Sequence, residues 1–136
     1  MSSGGKLLSG KLGPSEVLCI VLCLLFLGQV QGAEPYKVLI LNSYHAGYIW
    51  ADNIVEGITS AFKAEGINAQ FFVEYLDTRR YDPNIIFPEL KPLYETKYRD
   101  FHFDVIISSD NNALKFVRLC RKDLFPGIPI VFCGVE

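Results

Sequence analysis

The stretch Tyr36–Asn42, with the sequence YKVLILN, decides the fold of this chain. It follows Pro35 directly and carries four consecutive apolar residues, VLIL, at its centre. A short continuous apolar run is typical of a strand that is buried on both faces, as strands of a parallel sheet are. The stretch therefore predicts a central strand with helices packed on either side.

Apolar residues at helical spacing alternate with further short apolar runs after this strand. Gly66 suits the end of the first helix, because glycine readily adopts the left-handed conformation found there. Pro88 and Pro92 are expected to trim or kink the front of the second helix. The predicted helices cover Tyr48–Glu65, Ile85–Arg99 and a segment with Asp110 or Asn111 as its N-cap, and the predicted strands cover Asn68–Leu76, Asp104–Ser108 and Ile130–Cys133.

The element order β-α-β-α-β-α-β predicts parallel strands joined by right-handed helical crossovers. We therefore expect an α/β fold with a doubly wound parallel sheet of about four strands and helices on both faces. No helix is predicted after the last strand, so apolar area is expected to be exposed there. On this basis the chain is expected to be the truncated N-terminal portion of a larger lobe.

The first 32 residues have the pattern of a secretory signal peptide. Lys6 and Lys11 precede the apolar run Val17–Leu27, which is followed by small residues up to Gly32. At 1.5 Å per residue this run covers only about half of a ~30 Å hydrocarbon core. We predict cleavage after Gly32, or else after Ala33, and a periplasmic or secreted domain over residues 33–136. The alternative interpretation is an uncleaved N-terminal anchor.

Composition and charge exclude some classes of protein. Half of the residues are apolar, 21% are charged, and the formal net charge is −2. A chain without basic excess lacks the electrostatic footprint of a nucleic-acid-binding protein. His45 and His102 stand apart from any cysteine pair, so no metal site is predicted. Cys120 and Cys133 are interpreted as free thiols, with a disulfide between them as the alternative.

Candidate functional residues follow from the predicted sheet, since ligands of open parallel sheets lie beyond the carboxyl ends of the strands. The loop after the first strand offers aromatic faces with polar tips. Ser109, Asp110 and Asn111 stand where a helix N-terminus presents free N–H groups to an anion. The aromatic loop contains Tyr44, His45, Tyr48 and Trp50.

Several of these residues also have a purely structural interpretation. Trp50 could simply pack against the first helix, and His45 could be a solvated or capping residue. Asp110 could serve only as an N-cap. Asp77 could form a loop salt bridge with Arg79 or Arg80.

Sequence motifs of common α/β enzymes are missing. The first strand is not followed by G-x-G-x-x-G, and the sequence has no phosphate-binding loop and no nucleophile elbow. Paired carboxylates cannot be assigned without a second wall to the cleft. The sequence therefore favours a non-catalytic protein with no cofactor.

Four motifs in the same order resemble the N-terminal part of the bacterial ABC-transporter substrate-binding-like domain. That domain also serves as the periplasmic sensor of histidine kinases and diguanylate cyclases. The resemblance covers Tyr36–Glu136. Its motifs are Val38–His45 (VLILNSYH) followed by Trp50, Val73–Tyr81 (VEYLDTRRY), Val105–Asn111 (VIISSDN) and Leu124–Gly134 (LFPGIPIVFCG).

The resemblance implies the first part of a lobe of the type I periplasmic binding fold, in which two lobes close on a small molecule. The second lobe is not present in this sequence. The implied ligand is a small polar or aromatic solute, with amino-acid-like compounds as one such class. The implied partner is an inner-membrane permease or a transmembrane signalling output domain. The ligand-binding residues that the resemblance implies are Ser43, Tyr44, His45, Trp50, Asp77, Ser109, Asp110 and Gly134.

We therefore predict an exported solute-binding protein of ABC-transporter type, present as a fragment. One alternative is the ligand-sensing domain of a histidine kinase or diguanylate cyclase. A second is a small secreted flavodoxin-like enzyme, and a third is a truncated gene product without function.

Overall fold

A computed structural model describes Gly13, Pro14 and residues 33–135. The predicted signal peptide therefore lies outside the described residues, apart from Gly13 and Pro14, and stays a prediction. One compact unit of the chain spans Glu34–Glu136. Among the described residues, no helix is both long enough and apolar enough to cross a membrane.

Four strands and three helices alternate along this unit, as the apolar pattern predicts. Every strand boundary lies within one residue of its predicted position. The strands are β1 (Tyr36–Asn42), β2 (Ala69–Tyr75), β3 (Val105–Ser109) and β4 (Ile130–Cys133), and the helices are α1 (Ile49–Ala64), α2 (Pro83–Lys97) and α3 (Asp110–Cys120).

The strands form one parallel sheet in the order β2-β1-β3-β4. The register places Ile40 of β1 between Val73 of β2 and Ile107 of β3. Helix α1 packs on one face of the sheet, and α2 and α3 pack on the other. The predicted doubly wound α/β fold is confirmed.

Alternate residues of β1 enter two separate apolar clusters, because successive side chains of a strand point to opposite faces. Val38 and Ile40 pack with Ile107 against α1. Leu39 and Leu41 belong to a larger cluster on the other face. That cluster is rich in aromatic rings from α2, α3 and the loops beside them, among them Phe87, Tyr94, Tyr98, Phe103, Phe116 and Phe125.

Helix α2 begins at Pro83, two residues before the predicted start. The side chain of Asp82 caps it by accepting a hydrogen bond from the backbone N–H of Asn84 at 2.8 Å. Proline is well suited to the first helical position, where its missing N–H has no partner to lose. Pro88 and Pro92 lie inside the helix at exposed positions. The prediction that they trim the front of this helix is therefore wrong, and the alternative, a kink, stays a prediction.

Helix α3 has a different N-cap from the predicted one. Ser109 occupies the N-cap position without a capping hydrogen bond from its own side chain. Instead the hydroxyl of Ser43, at the end of β1, accepts a hydrogen bond from the backbone N–H of Ala113 at 2.7 Å. A neighbouring strand end thus satisfies an N–H group that Asp110 or Asn111 was expected to satisfy.

The buried faces of two helices do not include every apolar residue of the helix. Leu93 of α2 is 56% exposed, whereas Phe87 and Tyr94 are buried. Ala61 of α1 is exposed, whereas Val55 packs against the sheet.

Strand β4 is an edge strand, and it exposes apolar side chains as expected. Val131 is 53% exposed and Phe132 is 59% exposed. Both cysteines of the described residues are free, Cys120 fully buried in α3 and Cys133 half-buried in β4. Burial raises the pKa of the Cys120 thiol to about 11.

Candidate functional site

A cavity of about 470 Å³ opens at the carboxyl ends of β1, β3 and β4. In the strand order, β2 lies next to β1 on one side, whereas β3 and β4 lie on the other side of β1. The order of the strands therefore reverses direction between β1 and β3. Crevices at such a topological switch point are where open α/β sheets bind ligands. The residues that line the cavity, here called the switch-point pocket, are Tyr44, Tyr48, Trp50, Asp110, Asn111, Gly134 and Val135.

A hydrogen bond between two lining residues of this pocket, Tyr44 and Asp110, joins the loop after β1 to the start of α3. The Tyr44 hydroxyl donates to Oδ2 of Asp110 at 2.7 Å. This hydrogen bond to a carboxylate, helped by burial, raises the pKa of Tyr44 to about 12. The hydroxyl therefore stays protonated at neutral pH and acts as a donor.

Three aromatic rings form one wall of the pocket. The ring of Tyr44 meets Tyr48 edge-on at 5.1 Å between centroids, and it meets Trp50 at 5.5 Å and an interplanar angle of 65°. Edge-to-face pairs of this kind hold each other in place, because the positive edge of one ring faces the negative face of the next. The wall is therefore a preorganised aromatic surface.

Arg79, from the loop after β2, braces this wall although it does not line the pocket. Its guanidinium lies 4.8 Å from the ring centroid of Tyr48 and 5.5 Å from that of Tyr44. One guanidinium nitrogen also donates a hydrogen bond to the Tyr48 hydroxyl at 2.9 Å. The loop after β2 is thereby attached to the loop after β1.

Gly134 closes the pocket at the end of β4. It has φ of +64°, in the left-handed region that favours glycine. A Cβ atom built on Gly134 would lie 2.8 Å from Cζ2 of Trp50, closer than real Cβ atoms approach other heavy atoms. The position therefore requires glycine, both for its backbone conformation and for the space that the indole ring occupies.

Backbone strain is concentrated at the same edge of the sheet. Asp77 and Asp110 are the two non-glycine residues of the described chain with positive φ, at +54° and +74°. Asp110 directly follows β3, and Asp77 lies two residues after the end of β2. Strain of this kind persists only where surrounding contacts hold it, and it is common at functional sites.

Beneath the pocket, a partly buried hydrogen-bond network joins the strand-end loops. The Ser43 hydroxyl donates to the carbonyl of Ser109 at 2.8 Å. The Thr78 hydroxyl donates to the carbonyl of Ser43 at 2.8 Å and accepts from the Asn112 side chain at 3.0 Å. The network fixes the loops after β1, β2 and β3 relative to one another, and so it positions the pocket residues.

The structure brings four of the eight predicted site residues together around the pocket: Tyr44, Trp50, Asp110 and Gly134. The other four lie elsewhere at the same edge of the sheet. Ser43 and Ser109 are fully buried beneath the pocket. His45 turns toward the carbonyl of Ala46, and Asp77 is salt-bridged to Arg80 at 3.3 Å, which is the loop pairing considered above.

Three pocket residues were not among the predicted ligand-binding residues: Tyr48, Asn111 and Val135. Tyr48 and Asn111 belong to the aromatic loop and to the predicted helix N-terminus, so the chemical signal for both is present in the sequence. Val135 carries no such signal, because only its position after Gly134 brings it to the pocket.

Within the described part of the chain, no group of three His, Cys, Asp or Glu side chains is placed to hold a metal ion. Comparisons of the chain with protein-family models, with curated proteins and with solved structures found no match. The fold and the pocket therefore carry the functional argument for this chain.

Proposed function

We propose that this chain is an exported, non-catalytic solute-binding protein of ABC-transporter type that takes a small polar or aromatic solute at the carboxyl ends of its strands. The observation that carries the proposal is the switch-point pocket with its wall of three aromatic rings. Concave sites that combine aromatic surface with a few fixed polar groups are typical of small-molecule binding. The export component rests on the residue pattern of positions 1–32.

The polar groups of the pocket favour binding over acid–base catalysis. A general acid or base works best with a pKa near the operating pH. The pKa of Tyr44 is raised to about 12, away from neutrality, and its hydroxyl is already donated to Asp110. Such a group orients a ligand better than it transfers a proton.

The proposed partner is an inner-membrane permease or, in the sensing version, a transmembrane signalling output domain. Both versions use the same pocket. They differ in the protein that responds to the loaded domain.

The test of binding is isothermal titration calorimetry of the purified protein with free amino acids, polyamines and nucleosides. We expect saturable binding of at least one compound. Replacing Tyr48 by alanine should weaken that binding about tenfold, since loss of a ring contact worth about 1.4 kcal/mol corresponds to that factor. Tyr36→Ala is the matched control, because Tyr36 is 59% exposed at the opposite end of β1. Equal weakening by both variants, or no saturable binding at all, would contradict the proposal.

A second candidate, a flavin-binding enzyme of the flavodoxin-like class, is favoured by the strand order. The order 2-1-3-4 is the beginning of the flavodoxin-like order, in which the flavin sits at the β1/β3 switch point. Visible flavin absorbance in the purified protein, retained on gel filtration, would support this candidate. A colourless protein that also fails to take up added flavin mononucleotide would count against it.

A further inference from the structure

The proposed function leaves the charge of the solute open, and the lining of the switch-point pocket bears on it. One of the seven lining residues, Asp110, is acidic. Neither lysine nor arginine is among the lining residues. The direct surroundings of a bound solute are therefore aromatic, polar and acidic.

Asp110 occupies the place at which an anionic ligand would otherwise bind. A helix N-terminus attracts anions through its free N–H groups. Here Oδ1 of Asp110 accepts a hydrogen bond from the backbone N–H of Asn111 at 2.6 Å. Its Oδ2 accepts the Tyr44 hydroxyl at 2.7 Å. An anionic solute would meet this carboxylate at the start of α3, and like charges repel.

The aromatic wall of the pocket favours a positively charged solute. The face of an aromatic ring carries partial negative charge and attracts cations, most strongly in tryptophan. Tyr48 and Tyr44 already contact one cation of the chain itself, the guanidinium of Arg79. The structure records no cation against Trp50 among the described residues, and this ring lines the pocket.

The position of Arg79 is compatible with a cationic solute. It is an exposed residue, and its guanidinium is engaged by the hydroxyl of Tyr48. It braces the wall without lining the pocket. Its charge is therefore exposed to solvent and lies outside the lining of the pocket.

We propose that the switch-point pocket selects solutes that carry a protonated amine, with the Asp110 carboxylate accepting the ammonium hydrogens and the face of the Trp50 ring packing against the solute. This proposal rests on the proposed function of solute binding. It adds the charge class of the solute, which the fold alone does not specify.

Three compounds of nearly equal size and different charge test the proposal: 2-phenylethylamine, 2-phenylethanol and phenylacetate. Trp50 is the one tryptophan of the chain and lines the pocket, so its fluorescence reports on this site. Calorimetry gives the affinities independently. We expect the amine to bind about tenfold more tightly than the alcohol, because a hydrogen bond to a charged group is roughly twice as strong as a neutral one. Phenylacetate should bind most weakly.

The variant Asp110→Asn removes the charge and keeps the shape of the side chain. The preference for amine over alcohol should then fall from about tenfold to none, because the amide no longer offers a negative charge to the ammonium group. The control is Asp100→Asn, an exposed aspartate that does not line the pocket, and it should leave the preference unchanged. Raising the salt concentration should weaken amine binding more than alcohol binding, because salt screens the charge interaction.

The outcomes separate this proposal from the proposed function. Equal affinities for the three compounds, tighter binding of phenylacetate, or an amine preference that survives Asp110→Asn would overturn the charge selection and leave solute binding intact. If neither these compounds nor the wider panel of solutes binds, both proposals are wrong.

Discussion

Gly134 and Trp50 are packed so closely that no side chain fits between them. A Cβ atom on Gly134 would lie 2.8 Å from Cζ2 and 2.9 Å from Cη2 of the indole ring. The two residues are far apart in sequence: Trp50 lies at the beginning of α1, and Gly134 directly follows β4. Their contact closes the pocket on one side.

We expect Gly134→Ala to lower the free energy of unfolding by about 1–3 kcal/mol, because the new methyl group overlaps the indole ring and the backbone stays in the left-handed region. The fluorescence maximum of Trp50 should shift at the same time. Urea denaturation followed by tryptophan fluorescence measures both effects.

Gly57→Ala is the matched control for that substitution. Gly57 lies inside α1, has no heavy atom within 4 Å of its Cβ position, and does not have positive φ. Alanine is favoured over glycine in a helix, so this variant should gain about 0.5–1 kcal/mol. Equal stability losses in both variants would show that the space beside Trp50 is not the cause.

The Ser43 hydroxyl is expected to contribute to stability rather than to ligand contact. The variant Ser43→Ala removes the hydroxyl that bonds to the backbone N–H of Ala113 and to the carbonyl of Ser109, and both of these hydrogen bonds are buried. One unsatisfied buried group costs about 1–3 kcal/mol. Urea denaturation should show a loss of that size, whereas Ser60→Ala, at an exposed position of α1, should stay within about 0.5 kcal/mol of the parent. A Ser43→Ala variant with the same stability as the parent protein would contradict the assigned capping role.

Stability should fall as the pH rises above about 10. Burial, followed by the nearby Glu74 carboxylate, raises the pKa of Tyr94 and Tyr98, and the hydrogen bond to Asp110 raises that of Tyr44. Between pH 10 and 12 the unfolded chain therefore loses tyrosine protons that the folded chain keeps. Because the folded chain then binds more protons than the unfolded chain, the free energy of unfolding falls as the pH rises. The fall is up to about 1.4 kcal/mol per pH unit for each such group.

Urea denaturation at several pH values from 8 to 11 tests this dependence. Tyr98→Phe should make the alkaline decline less steep, because one of the shifted groups is gone. Phe103→Leu, at a buried ring that contacts Tyr98, should lower stability at every pH and keep the slope of the parent. A parent protein whose stability is constant or increases over this range would refute the assignment.

The two cysteines of the folded unit should differ in reactivity. Cys120 is fully buried, whereas Cys133 is half-buried. Iodoacetamide at pH 8 should therefore label Cys133 several times faster than Cys120 in the native protein, and both equally in urea, because access limits thiol reactions in a folded chain. Mass spectrometry of the labelled peptides measures the two rates. Recovery of a Cys120–Cys133 disulfide peptide would contradict the assignment of free thiols.

The strands of this protein follow from local sequence more closely than its second helix does. Continuous apolar runs such as VLIL in β1 have one stable environment, a sheet covered on both faces, and so their positions are readable from the residues alone. The start of α2 was missed because Asp82 and Pro83 favour both a turn and a helix N-terminus. Only the capping bond to Asn84 decides between the two.

The location of the pocket and four of its seven lining residues were predictable from the sequence. Strand ends of a parallel sheet meet at one edge, so the loop containing Tyr44 and Trp50 and the loop containing Asp110 had to lie there. Sequence alone did not separate Ser43, which lies beneath the pocket, from Tyr44, which lines it. Adjacent residues at a strand end point to opposite faces, and the packing of α3 decides which of them becomes a buried cap.

The sequence by itself determined the α/β class, the order of the elements and the edge of the sheet at which the switch-point pocket lies. Those properties depend on periodicity and on connection length, which are local. Tertiary structure alone decided that the Asp110 carboxylate occupies the start of α3 under the Tyr44 hydroxyl, and that Gly134 makes room for Trp50. These pairs are distant in the chain, and only the folding of the sheet brings them within a few ångströms of each other.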